Sequence, residues 1–127
     1  MRYIVESGKD VATVARDLAA AVKRRGFGLL QVYDLKAKLR EKGINFSNEC
    51  QVLEVCNPQQ AAQVLSTDMS ISMALPCRIS VYEENGVTKI GTILPSALLA
   101  MFPGAGDLEQ VAEEVERDII LMIAEAR

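Results

Sequence analysis

The apolar and polar positions divide the chain into short segments, each with one period. Residues 2–6, Arg-Tyr-Ile-Val-Glu, read as a strand. Val11, Val14, Ala15, Leu18 and Val22 then recur three and four apart and make one apolar helical stripe, with Arg16, Asp17, Lys23 and Arg24 mostly off it. Asp10 supplies a capping oxygen at the start of this helix, and Gly26 suits a left-handed exit at its end. Residues 27–33 form a second strand. Asp34 caps a short helix with Leu35 and Leu39 one turn apart, closed by Gly43. Residues 49–56 form a third strand, which Asn57-Pro58 ends while opening a third helix with Ala61, Ala62 and Leu65 inward.

Pro76 starts a fourth strand, where its missing N–H does least harm. In that strand Cys77, Ile79 and Val81 alternate with Arg78, Ser80 and Tyr82. Asn85-Gly86 tolerates positive φ at both positions, so it predicts a two-residue type I′ turn. That turn sets Glu84 opposite Val87 and Val81 opposite Ile90, with a fifth strand over 87–94. Residues 95–102 read as a short helix and 103–106 as a loop, and Asp107 is the expected cap of the last helix. A hairpin within the order β-α-β-α-β-α-β-β-α-α excludes an all-parallel sheet. The expected class is α+β, as one domain over 1–127.

The last helix changes character along its length. Leu108, Val111, Ala112 and Val115 form one stripe among Glu109, Glu113, Glu114 and Glu116, whereas 119–124 is apolar around the full turn. A surface helix needs only one stripe, so this end must be covered on more than one side. The expectation is a homodimer with Ile120 and Ile123 at its interface.

Composition narrows the chemistry. Half of the 127 residues are apolar, but aromatics are 5% and Trp is absent, so the core must be mainly aliphatic. No apolar run approaches the roughly 18 residues of a membrane span. Met1 leads directly into the first strand rather than into a secretory signal. Three cysteines without CxxC spacing fit a reducing, cytoplasmic setting. The absence of His excludes imidazole bases and His-ligated metals. Net charge is −3, but residues 1–43 hold ten Lys/Arg against five Asp/Glu, and the rest holds four against twelve. Such asymmetry fits either an anionic partner or two faces that attract each other within one fold.

Cys56-Asn57-Pro58 followed by Leu75-Pro76-Cys77, with the Lys-rich helix after Asp34 and the Ala-rich helix between, resembles the domain of unknown function 302 family. The resemblance covers most of the chain. It implies a curved, mainly antiparallel five-stranded sheet with helices packed on it and a homodimer, and it implies no known activity. The family often has Ile-Gly-Leu-Leu-Pro-Cys before the fourth strand. Here Ser72 stands at the glycine position, so a tight turn or close ligand approach that needs that glycine does not carry over.

The candidate site residues are Cys56, Asn57 and Cys77, with Lys36 and Arg40. A thiol pair could exchange redox equivalents or hold a soft metal, with oxygen or water as further ligands. The plainer reading is that free Cys is a small, commonly buried hydrophobe. On the third strand Cys50, Val52, Glu54 and Cys56 share one face, and Glu54 is expected to pair with a cation of a neighbouring element. Lys36, Lys38, Arg40 and Lys42 form two basic ridges that could hold a small anionic ligand. No aromatic residue interleaves them, which argues against nucleic acid. Gly104-Ala105-Gly106 is no phosphate loop, because no strand leads into it and Asp107 follows. The reading is a homodimeric binding or interaction module with a small-ligand site near Cys56, Asn57 and Cys77, and with no cofactor or resident metal. Thiol redox or soft-metal chemistry, and a purely structural role, are the alternatives.

Overall fold

A computed structural model describes all 127 residues. The elements are β1 (Arg2–Ser7), α1 (Val11–Arg24), β2 (Gly28–Asp34), α2 (Leu35–Glu41), β3 (Cys50–Cys56), α3 (Pro58–Thr67), β4 (Cys77–Glu84), β5 (Val87–Ile93), α4 (Pro95–Leu99) and α5 (Glu109–Ala126). Two 3₁₀ turns, Met69–Ala74 and Ala105–Leu108, join α3 to β4 and α4 to α5. The Leu75–Pro76 peptide is cis. Ser72 lies inside the first 3₁₀ turn and has no positive φ, so this backbone does not require glycine there.

The class is α+β. The five strands form one open sheet in the order β1-β5-β4-β3-β2, and every neighbouring pair is antiparallel. Capping fixes where three helices begin. Asp10 accepts from the Thr13 amide at 2.8 Å, Asp34 from Ala37 at 3.0 Å and Asn57 from Gln60 at 3.2 Å. Asp107 does not cap α5. It sits in the 3₁₀ turn, where fully buried Leu108 pins the chain and delays the helix by one residue. The inner side of α3 is Val64, with Ala61 and Leu65 half-buried, whereas Ala62 faces solvent.

The hairpin follows the expected register, Glu84 opposite Val87 and Val81 opposite Ile90. Asn85 and Gly86 have φ of 53° and 78°, as a type I′ turn demands. A Cβ on Gly86 would meet nothing within 4 Å, so the cost of adding a side chain there lies in the backbone. Gly86→Val should therefore destabilise the domain by about 1–2 kcal/mol and lower Tm by several degrees. Thermal unfolding followed by circular dichroism checks this, and an unchanged Tm would contradict it.

The main core lies between one sheet face and the pair α1 and α5. Val14, Leu18 and Val22 of α1 meet Leu53, Val55, Ile79, Val81 and Ile90 of the sheet, with Ile119, Met122 and Ile123 of α5. A smaller cluster of Val64, Ile71, Leu108 and Val111 ties α3 and the first 3₁₀ turn to the start of α5. Each large aliphatic side chain buried this way contributes about 1.5–3 kcal/mol relative to exposure.

This packing corrects the expectation for α5. Its all-round apolar end is covered within the chain, because Ile119, Met122, Ile123 and Ala126 have no exposed surface. The second side of cover is α1, which lies beside α5, while α4 packs on α5 as well. Ile120 is half-buried, and only Leu121 stands out among the large side chains there, at 40% exposure. The α1–α5 seam also accounts for part of the charge asymmetry. Basic Arg24 and Arg25 meet acidic Asp118 and Glu125 at 3.7–3.8 Å. No helix is long and apolar enough to cross a membrane.

Candidate functional site

The antiparallel register of β3 and β4 sets Val55 opposite Cys77, which brings the end of β3 to the start of β4. Cys56, Asn57 and Cys77 thus line one cavity, together with Phe27, Val64 and Val115. Its volume is about 50 Å³, room for a water or two rather than a ligand. Gln60 also lines it, and the Gln60 Oε1 atom is buried without a protein partner. Asn57 is committed to capping α3. Burial and then the nearby Cys56 push the Cys77 thiol up to about 11, and burial also raises Cys56. Cys50 is raised for the same reason, offset in part by a hydrogen bond with Ser80. All three cysteines are free thiols, and no three or more Cys, Asp or Glu side chains converge as a metal set would.

Lys36 and Arg40 are not part of this cluster. Lys36 forms an ion pair with Glu49 at 2.8 Å, just before β3 begins, whereas Cys56 ends that strand. Seven residues of strand put roughly 20 Å between them. Arg40 is exposed and makes no ion pair, so α2 offers an isolated cation rather than a paired cradle.

The strongest constellation is on the other face of the sheet. α1 and α5 cover the face that carries Leu53, Ile79, Val81 and Ile90, and alternation sends the intervening side chains the opposite way. Over β1, β5 and β4 those side chains border a hollow of about 320 Å³. Its polar wall is Arg2, Arg78, Ser80 and Tyr82, and its apolar wall is Ile4, Val52 and Ile93. Gly91 forms the floor. A Cβ there would approach Ile4 Cγ1 to 3.3 Å and Tyr82 Cε1 to 3.9 Å, so the glycine lets both side chains lie close on the strand.

Arg78 is held from one side. Its Nε donates to Glu54 Oε2 at 3.1 Å, while Tyr33 Oη donates to Glu54 Oε1 at 3.0 Å. Glu54 is only 8% exposed, and these two bonds satisfy a carboxylate that would otherwise be costly to bury. The Glu54 pairing matches the sequence expectation. The bond to Glu54 also raises the Tyr33 phenol above its ordinary value. The two Nη groups of Arg78 have no protein partner, its side chain is 67% exposed, and Arg2 makes no ion pair. No carboxylate lines the hollow.

An apolar crevice of about 170 Å³ adjoins the hollow and shares Arg78 and Ile93 with it. Met73, Leu75, Pro76, Cys77 and Leu98 form its walls. Another hollow of about 320 Å³, between α4 and α5, is bordered by Glu109 and Glu113 and contains none of the sequence candidates. Arg2, Arg78, Ser80 and Tyr82 were not singled out from the sequence. The available signal was the polar half of the β4 alternation, which reads as an ordinary solvated face until the strand order is known.

The family model described as "Domain of unknown function DUF302" matches residues 3–126. No curated protein matches the chain. A crystal structure of an uncharacterized conserved protein DUF302 from Bacillus stearothermophilus is similar, at 36% identity over 99% of this chain and 98% of that one, with a TM-score of 0.89.

Proposed function

Since the chain belongs to the DUF302 family, whose description assigns no activity, we propose that it is a small-ligand binding module whose ligand is an organic anion held in the hollow on the open sheet face. The observation that carries this reading is the composition of that hollow. Two arginines and three hydroxyl-bearing residues, Ser80, Tyr82 and Thr92, line it with three aliphatic ones and no acid, over about 320 Å³. That volume is at the lower end of small-molecule sites, and a few convergent polar groups in a partly apolar wall are what such sites use for orientation. Unpartnered Nη groups suit the two oxygens of a carboxylate. This reading puts the small anion at Arg2 and Arg78 rather than at Lys36 and Arg40. The thiol reading has less support, because burial disfavours the thiolate at Cys77 and Cys56, and the thiolate is the reactive form.

Backbone amide shifts during a titration with butyrate test the proposal. The reading expects saturable shifts at Arg2, Arg78, Ser80 and Gly91, with α2 unmoved. Shifts confined to residues 36–42, or none at all, would overturn it.

A homodimer is the second reading, favoured by a separate observation. Leu30, Val32, Leu35, Ile44 and Phe46 are each 39–56% exposed and follow closely along edge strand β2, α2 and the loop after it. Apolar side chains gathered on an unpaired edge are a common mark of a protein contact. The interface is thereby moved from α5 to the β2 edge. Sedimentation at micromolar concentration should give a dimer that Leu30→Glu with Phe46→Glu converts to a folded monomer. A wild-type monomer, or a dimer that survives both changes, would defeat this reading.

A further inference from the structure

The hollow on the open sheet face does not end at Arg78 and Ile93. Those two side chains are also the near wall of the apolar crevice beside them. Ile93 is 52% exposed at the junction and Met73 is 80% exposed across the crevice. Single exposed aliphatics are ordinary on protein surfaces. Here, however, they flank a cleft whose remaining walls are Leu75, Pro76, Cys77 and Leu98. Behind the crevice, two smaller apolar spaces of about 60 and 50 Å³ share Leu75 and Cys77 with it. One end of the combined site therefore offers two guanidinium groups and hydroxyls, and the other is walled mainly by aliphatic side chains, proline and Cys77, with Arg78 at the shared boundary.

We propose that the ligand is an amphipathic carboxylic acid, its carboxylate on Arg78 and Arg2 and its short aliphatic tail laid past Ile93 into the crevice lined by Leu75, Pro76, Cys77 and Leu98. This rests on the reading of the hollow as an anion site and adds the class of the anion. The flexible thioether of Met73 suits it to close over tails of differing shape. The crevice, at about 170 Å³, limits the buried tail to a short chain. Each methylene buried there should tighten binding by about fourfold.

Titration calorimetry with butyrate, octanoate and octan-1-ol separates the parts of the proposal. The expected order places octanoate at least about tenfold tighter than butyrate and also tighter than octan-1-ol. Leu98→Trp, which adds bulk to the crevice wall, should bring octanoate close to butyrate. If that variant does not fold, the wild-type chain gives the same information. Octanoate should slow alkylation of Cys77 by N-ethylmaleimide several-fold, and butyrate should not. Equal affinity for butyrate and octanoate would overturn the tail while leaving the anion reading standing. An octanoate preference with no protection of Cys77 and no effect of Leu98→Trp would also overturn it, because the tail would lie elsewhere. If neither acid binds, the reading of the hollow fails with it.

Discussion

Ile123→Glu should leave no folded protein at room temperature. The side chain has no exposed surface and sits in the main core between α1 and the sheet. Glutamate there would either bury an unpaired carboxylate or force the end of α5 off the sheet. Removing the aliphatic packing alone costs about 2–5 kcal/mol, and an unpaired buried charge adds several more. Domains of this kind are held by only about 5–15 kcal/mol in total. Leu121→Glu is the control, since Leu121 is 40% exposed on the same helix and should shift Tm by no more than a few degrees. Circular dichroism on both variants distinguishes the two positions. A folded, monomeric Ile123→Glu variant with a near-normal Tm would mean that this helix end faces a partner rather than its own core.

Cys77 should resist alkylation. Burial raises its thiol from the usual value near 9 to about 11. At neutral pH its thiolate fraction is therefore on the order of a hundredfold below that of an ordinary cysteine, and reactivity follows the thiolate. Labelling with iodoacetamide at pH 7.5, read by peptide mass, should be slowest at Cys77 and slower at Cys56 than at a free peptide thiol. The same shift has a consequence for stability. A thiol whose folded value is raised favours the fold while protonated, so its contribution is complete below about pH 9 and is lost as pH climbs towards 11. Cys77→Ala should lose less stability than the wild type across that interval. Labelling of Cys77 at the ordinary rate would restore the thiol chemistry that its surroundings disfavour.

Local signals in the sequence carried most of the fold. Asp10, Asp34 and Asn57 cap helices because the bond they make spans only three residues of chain. Asn85-Gly86 fixes a register for the same reason. Alternation on β3 set Glu54 on the face opposite Leu53 and Val55, and a cation was its expected partner because a charged hydrogen bond stabilises a nearly buried carboxylate well. Asp107 misled because a good capping residue does not start a helix where a neighbouring anchor, Leu108, holds the chain in a tighter turn.

The candidate site was less legible, and the cause is the order of the strands. Arg2 and Arg78 face one hollow only because β5 lies between β1 and β4, an arrangement that no periodicity announces. The basic run on α2 was conspicuous in sequence, yet Lys36 is occupied by Glu49 and Arg40 stands alone. The apolar end of α5 had two possible covers, its own α1 or another subunit. Only the packing of α1 beside α5 on the same sheet face decides between them. Cys56 and Cys77 stand out together in the sequence, and the structure brings both to one small space. Their meeting in a space of about 50 Å³ is a consequence of the β3–β4 register, and it makes them packing neighbours.

The two arginines of the open face are the centre of the proposed site, and Arg2→Gln tests them with the least disturbance, because Arg2 makes no ion pair and is exposed. A hydrogen bond to a charged group contributes about 1.5–3 kcal/mol, so removing one guanidinium should weaken octanoate binding about tenfold or more. Arg78→Gln should do the same, with some added loss of stability from the abandoned Glu54 carboxylate. Calorimetric titration of octanoate into the wild type and Arg2→Gln, with matching Tm to certify the fold, is the decisive measurement. A tenfold loss at unchanged Tm is the result predicted, and equal affinities would contradict the account.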